Sequence, residues 1–230
     1  MIEQIKNKWG KGAVLFIALI AVVALSGCSN SVAVKTTDQT TGVVKQPVGT
    51  DTDKDGIPDN AEVVLGTDPK NTDTDGDGID DKTDQNPVLV DNIFQKSTGA
   101  NDFSIQSILV ENNVDAITQK GTSDHLEVFL KSNSKVTITD FSIYYEYNDL
   151  VDNTKQSYEM SLTGFVLNAG ETKSVHLDTG DLPGHFRTNP NSSYYQSQNA
   201  KDVKVIISAT GHQAQESSVK KDKGGAETAD

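Results

Sequence analysis

Cysteine and catalytic motifs are what this sequence has least of. Cys28 is the only cysteine among 230 residues, so the chain cannot form an internal disulfide. It contains no G-x-S-x-G nucleophile motif, no H-E-x-x-H zinc motif and no glycine-rich phosphate loop. The four histidines lie in separate segments without the spacing of metal ligands: His125, His176, His185 and His212. The sequence therefore predicts a protein that is not an enzyme.

Positive charge is also scarce. Lysine and arginine together number 20 against 33 aspartates and glutamates, and the net charge is −13. Residues 51–84 hold twelve carboxylates and three lysines, a net charge of −9, so the excess is concentrated in one stretch. Nucleic acids bind to clustered lysines and arginines. The sequence therefore predicts no nucleic-acid partner.

A long hydrophobic run is absent, but a short one lies near the N-terminus. Lys6, Lys8 and Lys11 precede an unbroken apolar run of thirteen residues, 13–25. A membrane-spanning helix needs about 20 apolar residues, whereas a secretory signal needs a basic start, an apolar run of roughly 7 to 15 residues and small residues before the cleavage site. The pattern predicts a helical signal peptide at residues 1–27. An uncleaved membrane anchor is the alternative.

The signal segment ends in Leu25-Ser26-Gly27-Cys28, which resembles the lipobox of bacterial and archaeal lipoprotein precursors. In that family the cysteine thiol receives a diacylglycerol, and cleavage just before the cysteine makes it the first mature residue. The resemblance implies a protein held by palmitate-type chains on the extracytoplasmic face of a cell membrane or envelope, with the membrane as a partner. The alternative is a chance cysteine behind a signal peptide.

Two further segments lack apolar periodicity. Residues 28–50 comprise the lipidated Cys28 and a stretch rich in Ser, Thr and Val that also holds Gly and Pro, which predicts a flexible tether. Residues 213–230 are predicted to be a disordered tail.

The acidic stretch repeats the spacing of a calcium-binding loop. That pattern places side-chain oxygens at positions 1, 3, 5, 9 and 12, a backbone carbonyl at position 7 and glycine at position 6. Residues 51–62 match every position, and residues 73–84 match it again 22 residues later with Asp in place of the final Glu. The predicted ligands are Asp51, Asp53, Asp55, Ile57, Asp59, Glu62, Asp73, Asp75, Asp77, Ile79, Asp81 and Asp84. The sequence therefore predicts about two Ca²⁺ ions.

Three other interpretations of this stretch fit less well. A solvated acidic linker does not need a glycine at the same position of both loops, followed in each by an isoleucine that is predicted to pack. Magnesium demands near-octahedral geometry and keeps its waters, so flexible carboxylate loops favour calcium. An EF-hand sets each loop between two helices, but Gly and Pro flank the first loop.

Residues 51–87 contain DTDKDGIPDNAE, GTDPKNTDTDGDGIDD and DQNP, and they resemble thrombospondin type 3 repeats in a cysteine-free bacterial form. The resemblance implies an extracellular module at residues 51–90 that winds around calcium with almost no regular secondary structure. Asp68 is a further candidate ligand between the loops, although the spacing does not show it. Dockerins, which bind scaffold proteins, are the competing family, but they need a helix after each loop and residues 66–69 interrupt the first one.

Residues 98–212 replace acidity with alternating apolar and polar side chains. Six segments show this pattern: FSIQSILVE, DHLEVFLKS, VTITDFSIYYEYN, QSYEMSLTG, TKSVHLD and DVKVIISATG. Short strands separated by polar turns predict a mainly β fold, an antiparallel immunoglobulin-like β-sandwich that follows the calcium module.

Residues 180–200 join two of these segments without a predicted strand, and long connections often carry function. This candidate ligand loop holds His185, Phe186, Arg187, Tyr194 and Tyr195, which suit a sugar ring or a partner chain. The alternative is that its aromatic residues cover an open end of the sandwich. The sequence predicts a structural or adhesive surface lipoprotein with a cell-surface protein or glycan partner. A carbohydrate-binding accessory lipoprotein and a dockerin-like module are the alternatives.

The anchor prediction is tested by metabolic labelling. The wild-type protein is expected to incorporate radioactive palmitate and to partition into detergent, and Cys28→Ala is expected to abolish the label because no other thiol is present. Label that persists in Cys28→Ala contradicts the lipobox interpretation.

Overall fold

The structure, a computed structural model, describes residues 49–91, 94–111, 125–180 and 183–221, all within one compact unit. The predicted signal peptide, Cys28 and most of the predicted tether lie outside the described residues, as do residues 222–230. Among the described residues, no helix has both the length and the apolar character needed to cross a membrane.

Two four-stranded sheets make up most of the described chain. The first sheet has the order β1-β2-β5-β6, with β1 Phe103–Glu111, β2 His125–Ser132, β5 Thr172–Asp178 and β6 His185–Arg187. The second has the order β4-β3-β7-β8, with β4 Lys155–Ser161, β3 Phe141–Asp149, β7 Lys201–Ala209 and β8 Gln215–Lys221. Neighbouring strands are antiparallel except for the parallel pair of β5 and β6. The mainly β fold is confirmed, and each of the six predicted segments contains a strand.

Alternation along the strands places the core between the sheets. In β3, every second residue from Phe141 is buried while those between are half-exposed, because successive side chains of a strand point to opposite faces. Buried residues from both sheets belong to one hydrophobic cluster, as expected of a β-sandwich. At one end of this cluster, Phe141 contacts Phe103 and Phe165 edge to face, and at the other Tyr147 stacks on Tyr194 at 4.9 Å between ring centroids.

The last strand corrects the predicted tail. Residues 213–230 were assigned to a disordered segment, and this prediction is wrong for β8, which pairs with β7 from Lys201↔Lys221 to Ile207↔Gln215. The sequence of β8 shows no apolar alternation because its inward positions are polar as well: Gln215, Ser217 and Lys221 lie on the same side of the strand as Val219, its only apolar residue. The two-sheet domain therefore continues to residue 221 instead of ending at 212.

The acidic module has one short helix, α1 Asp59–Leu65, which ends at Gly66 with φ of 83°. The rest of residues 49–91 is turns and bends. The module lies along the edge strand β4: the N–H of Ser157 donates to the carbonyl of Val88 at 3.0 Å, and the N–H of Glu159 donates to the carbonyl of Asp75 at 2.7 Å. The module thus satisfies backbone groups that an exposed sheet edge would leave unpaired.

Glycine is required where the module meets β4. Gly76 has φ of 85°, and a Cβ at this position would lie 2.0 Å from the carbonyl oxygen of Glu159. Any other residue would both strain the backbone and push the module off the strand.

A buried ion pair fixes the start of β7. The ammonium of Lys201 is fully buried and donates to the carboxylate of Asp149 at 3.2 Å and to the carbonyls of Ser197 and Asn199 at 3.0 Å each. Burial alone would raise the pKa of Asp149. Hydrogen bonds from the N–H groups of residues 151 and 152, from Asn199 and from Lys201 outweigh it and hold this pKa well below its ordinary value. The carboxylate of Asp149 therefore stays ionised inside the protein.

Removing Lys201 should leave a buried carboxylate without its counter-ion. Lys201→Ala is expected to lower the free energy of unfolding by about 3 kcal/mol, the lower end for breaking a buried pair, since the other donors to Asp149 remain. Lys204→Ala on the same strand removes a part-exposed partner of Glu216 and should cost less than about 1 kcal/mol. Urea denaturation of both variants measures the difference, and equal losses contradict the assignment.

Candidate metal centre

The two acidic loops fold alike, bond for bond. In the first, the carboxylate of Asp51 accepts the N–H groups of Lys54 at 2.7 Å and Gly56 at 3.2 Å. In the second, Asp73 accepts the N–H groups of Gly76 and Gly78, both at 2.9 Å. These bonds turn the chain back around its own first carboxylate, as short aspartate side chains commonly do in turns.

The acids at positions 3 and 5 each use one oxygen to fix the loop. One oxygen of Asp53 accepts the N–H of Asp55 at 3.1 Å, and one oxygen of Asp75 accepts the N–H of Asp77 at 3.0 Å. Asp55 and Asp77 bind the N–H of the following isoleucine in the same way, at 2.6 and 3.0 Å. Asp53, Asp55 and Asp75 each keep a second, buried oxygen that can face a ligand, whereas the second oxygen of Asp77 accepts the N–H of Asp91 at 3.1 Å.

The acids at position 9 support the loops through threonine. Both oxygens of Asp59 are engaged by Thr52, whose N–H and hydroxyl donate at 2.8 Å each, and Asp81 is engaged by Thr74 at 2.7 Å in the same two ways. Asp59 and Asp81, two of the predicted ligands, thus bond position 9 of each loop to the threonine at position 2. The threonine at position 2 of both loops was the sequence signal for this contact, and the pattern match did not use it.

Carboxylate oxygens of three acids lie close together in each loop. Asp51, Asp53 and Asp55 bring oxygens within 4.8 Å of one another, and so do Asp73, Asp75 and Asp77. Five buried carboxylate oxygens of the loops have no hydrogen-bond partner: Asp53 Oδ2, Asp55 Oδ2, Glu62 Oε2, Asp75 Oδ2 and Asp84 Oδ2. Leaving buried oxygens of this kind unpartnered is costly. Their positions fit a hard cation that takes carboxylate oxygens.

Burial and mutual repulsion raise the pKa values of these acids. Glu62 is fully buried, and burial followed by repulsion from Asp53 and Asp55 raises its pKa to about 7. Asp75 is 1% exposed, and burial is the main cause that raises its pKa to about 7, with repulsion from the other acids of its loop adding to it. Without a cation, both groups would hold protons at neutral pH.

The two isoleucines differ in their surroundings. Ile57 is half-buried, but Ile79 is 37% exposed, so the prediction that both isoleucines pack is wrong for Ile79. The side chain of Lys82 lies against Gly56 and donates to its carbonyl at 3.4 Å, whereas nothing would lie within 4 Å of a Cβ at Gly78.

Asp68 and Arg187 were assigned to different candidate sites, and the structure joins them. Arg187, the only arginine of the chain, contacts both carboxylate oxygens of Asp68, with Nη2 2.6 Å from Oδ1 and Nη1 bonded to Oδ2. The side chain of Asp68 is 4% exposed. Its carboxylate is therefore committed to the two-sheet domain.

The candidate ligand loop is more ordered than the sequence indicated. Residues 180–200 contain strand β6 and the short helix α2 Ser193–Gln196, so the absence of a strand was a wrong prediction. The three-residue strand is too short to show alternation. It forms because β6 pairs with β5 over residues 185–187.

The aromatic residues of this loop turn inward. Tyr194 is 1% exposed, and the hydroxyl of Tyr195 lies 2.8 Å from that of Thr188. Phe186 packs against the core, and His185 lies 2.5 Å from Asp178 and stacks on His176. Because Tyr194 stacks inside the core, its ring is not available to a sugar.

Comparisons with known proteins do not assign the chain to a family. No protein-family model matches it, and no curated protein matches it. Similar solved structures include the alkylpurine DNA glycosylase AlkC of Pseudomonas fluorescens bound to DNA, with 12% identity over 52% of this chain and 30% of that one. A GH2 beta-galacturonidase from Eisenbergiella tayi has 14% identity over 52% and 18%, and the sporulation control protein Spo0M of Bacillus subtilis has 10% over 52% and 48%.

All three have a TM-score of 0.29, which carries no argument about activity. This chain spans less than half the length of each of them.

Cation binding by these loops is expected to depend on pH. Since the pKa values of Glu62 and Asp75 lie near 7 in the ion-free loops, a cation must displace protons at lower pH. The folded pKa lies above the ordinary value, so the ion-free loops gain stability as the pH falls from 7 toward 4, while the cation-bound form loses it. Calcium titration calorimetry should show an affinity roughly 10-fold or more weaker at pH 6 than at pH 8, with proton release. Equal affinity at both pH values contradicts this.

Proposed function

We propose that this chain is a calcium-binding surface lipoprotein without enzymatic activity. In this proposal about two Ca²⁺ ions order the acidic module, Cys28 carries the lipid that anchors the protein on the extracytoplasmic face, and the two-sheet domain makes structural or adhesive contacts. The observation that carries the calcium assignment is that carboxylate oxygens converge in each loop, and that Asp53, Asp55 and Asp75 in these groups each have a buried oxygen without a hydrogen-bond partner.

The composition of the module supports a metal as its source of stability. Pro58 is the only buried apolar residue among the described residues 49–91, and Val63, Val64 and Leu65 of α1 are exposed, with Val64 at 86%. Ordering some 40 residues costs about 1 to 2 kcal/mol each in backbone entropy. A module without a core of its own therefore needs ion binding or docking to fold, and binding free energy then becomes folding free energy.

The secondary structure of the module supports thrombospondin type 3-like repeats over a dockerin. A dockerin needs a helix after each loop. Here α1 follows the first loop, but the described residues after the second loop, 85–91, form turns without a helix. Calcium is favoured over magnesium because the loops offer many carboxylates in a flexible frame.

The strand order supports an immunoglobulin-like topology for the two-sheet domain. In that topology strands A, B and E share one sheet, and strands C, F and G share the other with C′ added beside C. Assigning β1, β2 and β5 to A, B and E and β4, β3, β7 and β8 to C′, C, F and G reproduces the observed neighbours. The short strand β6 is then an addition beside E.

The calcium assignment is tested with ligand variants of the full chain. Calorimetry of the wild type should show binding with dissociation constants of roughly 10⁻⁴ to 10⁻³ M, the range of extracellular calcium modules. Amide exchange across residues 51–84 should slow when calcium is added. Asp53→Ala combined with Asp75→Ala should remove both effects, because each deletes an oxygen that its loop cannot replace.

Asp80→Ala provides the matched control. Asp80 lies in the second loop but is exposed, and its side chain is outside the cluster of converging oxygens. This variant removes one negative charge, as each of the two ligand substitutions does. It should leave the calcium affinity within about twofold of the wild type, as expected for a screened surface charge. If the wild type binds no calcium at several millimolar, the acidic stretch is a linker and the proposal fails.

A further inference from the structure

Three of the residues between the two calcium loops are held individually by the two-sheet domain. We call Gly66, Thr67 and Asp68 the link. The side-chain amide of Asn189 donates to the carbonyl of Gly66 at 2.6 Å, and that of Asn191 donates to the carbonyl of Thr67 at 2.7 Å. Arg187 pairs with the carboxylate of Asp68. Every second residue from 187 to 191 thus binds one residue of the link.

We call Arg187, Asn189 and Asn191 the clamp. The clamp begins at Arg187, the last residue of β6, and ends before α2, so it is built on the two-sheet domain. Asn189 is 4% exposed and also lies within 3.4 Å of the hydroxyl of the core residue Tyr158. The clamp therefore has a rigid base.

The link contacts both loops. On one side, the N–H of Thr67 donates to the carbonyl of Glu62 at 3.1 Å, and its hydroxyl lies 3.4 Å from the buried carboxylate of Glu62. On the other side, the N–H of Asp68 donates to the hydroxyl of Thr74 at 2.8 Å. The same hydroxyl donates to the carboxylate of Asp81. The link thus connects position 12 of the first loop with positions 2 and 9 of the second.

We propose that the clamp positions both calcium sites through the link, and that calcium in turn orders the clamp. Arg187 acts through Asp68, whose two carboxylate oxygens it binds. Arginine suits this role because its planar group binds a carboxylate with two parallel bonds. By linkage, any energy by which the clamp favours calcium binding equals the energy by which calcium favours the clamp. The inference rests on the calcium proposal, since it concerns the regulation of the same sites.

Calcium titration calorimetry of the full chain tests the direction from clamp to ion. Arg187→Ala is expected to raise the dissociation constants of both sites at least about fivefold, the lower range of measured coupling between sites. Lys155→Ala removes an equal charge from β4, where Lys155 pairs with Glu146 at 2.8 Å, and should change them less than about twofold. Arg187→Lys should fall between, because one ammonium cannot replace two parallel bonds.

A double-mutant cycle and amide exchange test the coupling itself. Adding Asp68→Ala to Arg187→Ala should cost little more than either change alone, since both remove one interaction. Calcium should slow exchange at residues 187–196 in the wild type but not in Asp53→Ala with Asp75→Ala.

The possible results separate the two proposals. If Arg187→Ala folds and binds calcium as the wild type does, the clamp does not position the sites and the inference is overturned, while the calcium assignment stands. If Arg187→Ala does not fold, Asn189→Ala and Asn191→Ala each remove one bond to the link and should weaken calcium binding in the same direction. Unchanged binding in both overturns the inference. A wild type that binds no calcium overturns both proposals.

Discussion

Carboxylates held close together in a segment without a hydrophobic core are the constraint around which the module is arranged. Asp53, Asp55 and Asp75 each accept a backbone N–H through one oxygen and leave the other oxygen buried without a hydrogen-bond partner. The turn bonds fix the loop, but they also concentrate negative charge, and burial makes that charge more costly. A sequence so arranged folds stably only with protons or a cation among the oxygens. The raised pKa values of Glu62 and Asp75 express this cost.

The two-sheet domain supplies what the module lacks. Its edge strand β4 donates two backbone hydrogen bonds to the module, and Asn189 and Asn191 after β6 hold the link. In return, the module covers an edge that could otherwise pair with another chain. Sequence alone suggested two independent parts separated near residue 90. Their contacts involve residues more than 60 positions apart, and no local pattern reports such contacts.

The sequence was most informative where geometry follows from spacing. Alternation predicted six strands because a half-buried strand must alternate, and the loop pattern predicted Asp51, Asp53 and Asp55 as one cluster because a chain that wraps an ion presents alternate side chains. It failed for β8, which is polar on its inward side as well except at Val219, and for Arg187 and Asp68. Nothing in the neighbourhood of an arginine in a loop or of an aspartate between two repeats indicates that the two will pair across 119 positions. The inward turn of Tyr194 likewise depends on Tyr147, a residue of another strand.

The position of the module between residue 49 and strand β1 also has a mechanical consequence. Tension applied to the chain before residue 49 reaches the module first, beginning with the bond between Thr50 and Asp59. The bonds inside the first loop join residues two to nine positions apart and precede residues 66–68, which the clamp holds, so they can open one after another while the clamp and the sheets stay intact. Fully extended, residues 49–65 would span roughly 60 Å. The first loop thus supplies slack chain that lengthens under load before the sandwich is strained, whereas the second loop lies behind the clamp.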